Sequence, residues 1–163
     1  MDFSGKTRIK FSYTMNIVNT VKNIKQIHPE YIIFIKIGKF YYSYSKDAYI
    51  ISYIFNYKLK IVEKNIKVCA FPVFALKKII AKLEENKINY IAVDRRNNYE
   101  VDEKYDNGNL NKYNYYLEKS KKYINQKNKI EEIYNYLISN IENNGNKELL
   151  TDIGKLVNER RKI

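Results

Sequence analysis

Phe40 and Tyr42 stand one residue apart in the run FYYSY. Side chains alternate along an extended strand, so the two rings share one face. Lys39 precedes them, Tyr41 lies between them and Lys36 sits just upstream. Aromatic planes beside cations are the chemistry of base stacking and phosphate attraction. The pattern continues outward: Tyr41, Tyr42, Tyr44, Tyr49, Tyr53 and Tyr57 interleave with Lys36, Lys39, Lys46 and Lys58. That composition fits a stacking groove for single-stranded nucleic acid. It also fits plain core packing, since aromatic residues on strands commonly face inward.

A second constellation could do hydrolytic chemistry. Asp94 closes an apolar run, and Asp102-Glu103-Lys104 follows on a possible strand. An acid followed by acid-x-lysine is the loose pattern of a class of metal-dependent nucleases, in which carboxylates hold the ion and lysine steadies the attacking water. Such spacing arises easily in a chain with 25 lysines. The remaining reactive types are sparse. His28 is the single histidine and precedes Pro29, which marks a helix end rather than a ligand pair. Cys69 is the single cysteine, in an apolar run, which excludes an internal disulfide framework and a cysteine-type zinc site. No catalytic residue, metal site or cofactor is expected.

The formal charge of +12 would attract polyanions in a salt-dependent way. Lysine, isoleucine, asparagine and tyrosine make up more than half of the 163 residues, and all four can be encoded by A and T alone. Lysine also outnumbers arginine 25 to 5, which fits base composition better than selected bidentate phosphate clamps. The charge is spread along the chain without a basic tail. The longest nearly apolar run, Tyr31 to Ile37, is far short of the roughly 20 residues of a membrane span. The first residues, MDFSGKTRIKFSYT, lack the apolar stretch of a signal peptide. A cytoplasmic protein that engages no membrane is the expectation.

Periodicity supplies the elements that must hold these residues. Ile17, Val21 and Ile24 recur at helical spacing over 13–27, with Ser12 or Thr14 as cap. Tyr31 to Ile37 reads as a buried strand, Gly38 as a turn and Phe40 to Tyr44 as a second strand. Ser45 should cap a helix to about Phe55, with Asp47 favoured in its first turn by the helix dipole. Lys58 to Glu63 and Lys67 to Phe71 read as strands. Pro72 opens a helix with an inner stripe of Leu76, Ile79, Ile80 and Leu83, and Asn89 to Asp94 reads as a strand. The order α-β-β-α-β-β-α-β marks a compact mixed α/β layer. Tyr99, Val101 and Tyr105 alternate as an edge strand, and Asn107-Gly108 is a turn. Residues 110–142 read as a helix, with little apolar content over 118–129, where it should fray or kink. Asn146 should cap a last helix whose stripe is Leu149, Leu150, Ile153, Leu156 and Val157. The predicted architecture is α/β (α+β): a mixed sheet with flanking helices over 1–106 and a helical extension over 107–163. The extension folds back on the core or pairs two copies as a homodimer.

The stretch from Tyr13 to Asp94 resembles the N-terminal, mismatch-recognising domain of the MutS family of DNA mismatch-repair proteins. The pieces occur in the family's order. A helix ends in His28-Pro29-Glu30, and a strand runs into Gly38-Lys39-Phe40-Tyr41, where the family has Gly-Asp-Phe-Tyr-Glu. Asp47-Ala48 open the next helix, and Ala70-Phe71-Pro72 stands at the family's Gly-x-Pro before a helix with Ala81-Lys82-Leu83. Ile91-Ala92-Val93 closes the match. The resemblance implies a mixed sheet with flanking helices that binds DNA, matched or distorted. It also implies a wedge phenylalanine at Phe40. The family's base-directed glutamate position holds Tyr42 and its acidic position holds Lys39. A phenol is neutral at pH 7, so base-specific readout should give way to general affinity. The five expected DNA-binding residues are therefore Phe40, Tyr42, Lys39, Tyr41 and Lys36. None of the five glycines begins the phosphate loop of the family's ATPase. The resulting expectation is a non-catalytic DNA-binding protein with weak or no mismatch specificity. The alternatives are a nuclease around Asp94 and Asp102, and a protein-interaction module with vestigial DNA binding.

Overall fold

The β-branched run after His28-Pro29 forms β1 (Ile32–Ile37), and Gly38-Lys39 turn it into β2 (Phe40–Tyr44). The computed structural model describes residues 4–62 and 65–161. Ahead of β1 lies α1 (Ser4–Ile27), and after β2 come α2 (Ser45–Phe55), β3 (Lys60–Val62) and β4 (Ile66–Pro72). A single 3-10 turn, Val73–Ala75, leads into α3 (Leu76–Glu85), then β5 (Tyr90–Asp94) and β6 (Glu100–Tyr105). The strands form one mixed six-stranded sheet in the order β3-β4-β2-β1-β5-β6. β1 and β5 are parallel, and the other pairs are antiparallel.

The chain divides into two compact units, residues 1–123 and 124–163. In the first, both faces of the sheet are covered, so β1 needs a continuous apolar run rather than an alternating one. Ile33, Ile35, Tyr44, Ile91 and Val93 pack with Ile17, Val18 and Val21 of α1. Ile32, Phe34, Tyr41, Phe71, Tyr90 and Ala92 pack on the other face with Ala48 and Ile51 of α2 and Ile79 and Leu83 of α3. The first turns of α4 (Asn111–Ser139) add Tyr113 and Leu117 to that layer. The second unit continues α4 and ends with α5 (Asn144–Arg160).

Element types follow the periodicity closely, and the differences lie at caps and ends. α1 begins at Ser4, so Ser12 and Thr14 lie inside it rather than capping it. Ser45 makes no side-chain cap: Tyr44 takes the cap position of α2, and Ser45 itself sits at φ +53. The third strand is shorter than Lys58 to Glu63, and Glu63 lies outside the described residues. Pro72 ends β4, and the 3-10 turn separates it from α3. α4 runs unbroken through 118–129, where its exposed surface is carried by good helix formers, lysine and glutamate. Asn143, not Asn146, caps α5, accepting from the Gly145 amide at 3.1 Å. Asn146 is buried inside the helix and donates to the Asn140 carbonyl at 2.8 Å. The α5 stripe is open to solvent, with Leu149, Leu150, Leu156 and Val157 all at least 40 % exposed.

Candidate nucleic-acid interface

One end of the sheet gathers the C-termini of β1, β4 and β5 and the N-termini of β2 and β6, because strand directions alternate around the β1–β5 pair. The sharpest point there is the turn between Ile37 and Phe40, which face each other across the hairpin. Gly38 has φ +62 with open space where a Cβ would stand. Backbone geometry rather than crowding therefore demands glycine. The Val73 amide donates to the Lys39 carbonyl at 3.0 Å, tying this turn to the chain leaving β4.

The five expected residues separate on this frame. Phe40 is 44 % exposed, and Lys39 is exposed on the turn beside it. Tyr42 shares Phe40's face as alternation requires, with ring centroids 6.4 Å apart, and Tyr44 stacks 6.4 Å further on. The three rings descend from solvent into the α1-side core, with Tyr42 half-buried and Tyr44 buried. Tyr41 points to the opposite face and is 2 % exposed. It stacks on Phe71 at 5.7 Å and donates to Asp102 Oδ2 at 3.3 Å, so it is a core residue. Burial, then Asp102, pushes its phenol well above the usual tyrosine range.

Lys36 belongs to an ionic cluster on Tyr41's side. Its Nζ lies 2.7 Å from Asp94 Oδ2 and 4.0 Å from Asp102 Oδ2. The hydrogen bond to Asp94 raises the ammonium above its ordinary pKa, and the same bond with the Arg96 amide lowers the Asp94 carboxyl. Asp102 reaches this cluster because β6 carries one extra residue where Val93 pairs with Val101 and Ala92 with Glu103. Lys104 does not join them: its Nζ lies over the Tyr31 ring at 5.8 Å. The acid-x-lysine spacing thus does not deliver its lysine to the two acids. Among the described residues, no group of three or more His, Cys, Asp and Glu side chains is placed to hold a metal ion. Cys69 is buried, and burial pushes its thiol up to about 12. His28 packs its ring against Tyr31 at 4.8 Å at the end of α1. Beside Lys36, a cavity of about 540 Å³ is lined by Ile37, Gly38, Arg95 and Arg96.

A family model described as MutS domain I matches residues 16–113. The chain belongs to the MutS domain I family. Domain I is a DNA mismatch-binding-like module, and the match covers all six strands, α2, α3 and the second half of α1. It ends at Tyr113, whose hydroxyl donates to the fully buried Asp47 carboxylate of this MutS domain. No curated protein is significantly similar to the chain. Among the described residues, no helix is long and apolar enough to cross a membrane.

That buried contact has no counterpart in the sequence reading. Asp47, fully buried, accepts from Lys25 Nζ at 2.6 Å, the Tyr113 hydroxyl at 2.6 Å and the Ile33 amide at 2.9 Å. Lys25 also donates to the carbonyls of Pro29 and Tyr31. Burial raises the Asp47 carboxyl and lowers the Lys25 ammonium, each opposed by the partner's charge. Asp47 therefore does more than complement the α2 dipole. It joins α1, β1, α2 and α4. The signal available in sequence was an acid placed among apolar residues of a mostly buried helix.

Proposed function

We propose that this domain binds DNA without catalysing a reaction on it, through the Lys39–Phe40 end of the sheet, with little preference for a mismatch. The observation that carries the reading is Phe40, 44 % exposed at the tip of a hairpin whose turn supplies a cation. An aromatic held there has the position and chemistry of a wedge into a loosened base step. Tyr42 follows on the same face but offers a neutral phenol where the family has a carboxylate. A base-directed hydrogen bond to an anionic acceptor is thereby lost. Phosphate attraction from Lys39 and the overall charge supplies most of the affinity.

A single module of this size covers about 600–1,000 Å² of protein on DNA. Affinity should accordingly be about micromolar or weaker at physiological salt and fall steeply as salt rises. Fluorescence anisotropy with matched and mismatched duplexes across a salt series tests this. Phe40→Ala should weaken the mismatched duplex more than the matched one. Unchanged binding of both by a folded Phe40→Ala protein rejects the reading. Incubating DNA with magnesium or manganese should produce no cleavage. Cleavage abolished by Asp94→Ala or Asp102→Ala would install the nuclease in its place.

A further inference from the structure

We propose that Phe74 is a second base-stacking residue and that the Phe40–Phe74 corner selects single-stranded DNA over base-paired duplex. This inference rests on the proposed DNA binding at Phe40 and names the form of DNA that site prefers. Phe74 is 88 % exposed, the most exposed of the large apolar side chains among the described residues. A lone exposed apolar residue needs no explanation. Its position is what carries meaning.

Pro72 is the direct ladder partner of Phe40, and Phe74 follows Pro72 by two residues. The bond from the Val73 amide to the Lys39 carbonyl fixes that connection against the hairpin turn. The backbone thus places two exposed phenylalanines at one corner of the sheet. Phe74 sits on a short 3-10 turn between a strand and a helix, not on a loose loop. Rings presented on rigid backbone lose little conformational freedom when a base stacks on them.

Charge identifies the partner. No aspartate or glutamate occurs from Tyr31 to Lys46 or from Lys64 to Leu83, the two segments that meet at this corner. Lys39 flanks Phe40, and Lys77 and Lys78 are exposed in the first turn of the helix that follows Phe74. Of the carboxylates at this end of the sheet, Asp94 and Asp102 face Lys36, so the charge nearest in sequence to the two rings is lysine. A polyanion with flat apolar faces matches exposed rings flanked by lysines. Single-stranded DNA offers those faces freely. In duplex DNA the faces are already stacked, and a second ring requires opening a second step. Two aromatics therefore favour the single strand more strongly than one does.

The test uses the whole chain with two fluorescent probes, a short thymidine strand and a matched duplex of equal length. Phe74→Ala should weaken the single strand about tenfold, the scale of one lost base stack, and leave the matched duplex unchanged. Phe74→Trp should restore or exceed the original single-strand affinity. Thermal melting should be unaffected in both variants, since Phe74 supports nothing in the core. Equal loss on both probes, or no loss on either, overturns the inference. If Phe74→Ala is silent while Phe40→Ala and Lys39→Ala weaken binding, this inference fails alone. If all three are silent, the proposed DNA site fails with it.

Discussion

The two ends of the sheet handle lysine in opposite ways. At the end formed by the N-terminus of β1 and the C-terminus of β2, Lys25 is drawn inward against a fully buried carboxylate and a tyrosine hydroxyl. At the other end, Lys39 stands exposed on a turn beside a half-exposed phenylalanine. The first lysine is spent on structure, and the second is available to a ligand. Lys36 shows that being at the second end is not sufficient. It lies only three residues before Lys39 but points to the other face, where Asp94 and Asp102 neutralise it. Charge count therefore says little about where DNA would bind. Lysines left without a carboxylate say more.

The largest effect that separates the two ends should come from Asp47. Removing one partner of a buried ion pair leaves the other charge desolvated and unpaired, at a cost of about 3–5 kcal/mol. Asp47→Ala should lower stability by that order in urea unfolding, and it also strands the Ile33 amide and the Tyr113 hydroxyl. Replacing both ends with apolar groups, as in Lys25→Met with Asp47→Leu, should cost much less. A small loss in Asp47→Ala would mean that water enters the site and relieves the charge.

Next in size is the exchange of chemistry at Tyr42. Tyr42→Glu places a carboxylate on Phe40's face at the position where the family carries one. The preference for mismatched over matched duplex should rise by about 1–3 kcal/mol, the scale of one good base contact. Total affinity should fall, because an anion has been added to the proposed DNA-binding surface. The ratio of the two dissociation constants at fixed salt reads this directly. An unchanged ratio would show that Tyr42 lies too deep beside Tyr44 for its replacement to reach a base.

Much of this frame was legible in the chain. Gly38 between a β-branched run and an aromatic run marked the hairpin, and β2 and α2 fall where periodicity put them. Alternation also paired Phe40 with Tyr42 and set Tyr41 apart. What alternation does not tell is that helices cover both faces. Tyr41 therefore counted among the surface residues although it is core. The Asp47 centre depends on partners 22 and 66 residues away, and no local pattern encodes such a meeting. The Asp102 bulge is similar. One extra residue in β6 redirects the carboxylate towards Lys36 and leaves Lys104 elsewhere, and spacing along the strand cannot show it. Caps failed for simpler reasons: Asn143, Asn144 and Asn146 crowd the start of α5, so several could cap it, and at α2 the cap position falls on Tyr44, which makes no side-chain cap.

The paired cluster at the Lys39–Phe40 end makes a pH prediction. The Asp94 carboxyl is lowered by its bonds from Lys36 and the Arg96 amide. A carboxylate with a depressed folded pKa contributes stability that is fully present above its unfolded value, about 3.9. That contribution is lost as pH falls through the folded value. Wild type should therefore lose stability below about pH 4, by about 0–1 kcal/mol for this partly exposed pair. Asp94→Asn should lack this component. The difference between their melting curves at neutral and acid pH isolates it from the other carboxylates. Parallel curves would show that the pair contributes nothing to folding.

Lys39 should give the smallest change and the clearest contrast with Lys25. It is exposed, and its backbone carbonyl, which accepts from the Val73 amide, is kept in Lys39→Ala, so the melting temperature should stay where it is. Its role, on the present reading, is one phosphate contact that positions the hairpin without reading sequence. Removing it should weaken matched, mismatched and single-stranded DNA alike. The plot of log affinity against log salt should flatten by about one unit of slope, one counterion fewer being released. Phe40→Ala should do the reverse, changing affinity in a substrate-dependent way with the salt slope intact. If Lys39→Ala instead changes affinity for only one form of DNA, the lysine is reading shape or an unstacked base. The division of labour between cation and ring at this corner would then have to be redrawn.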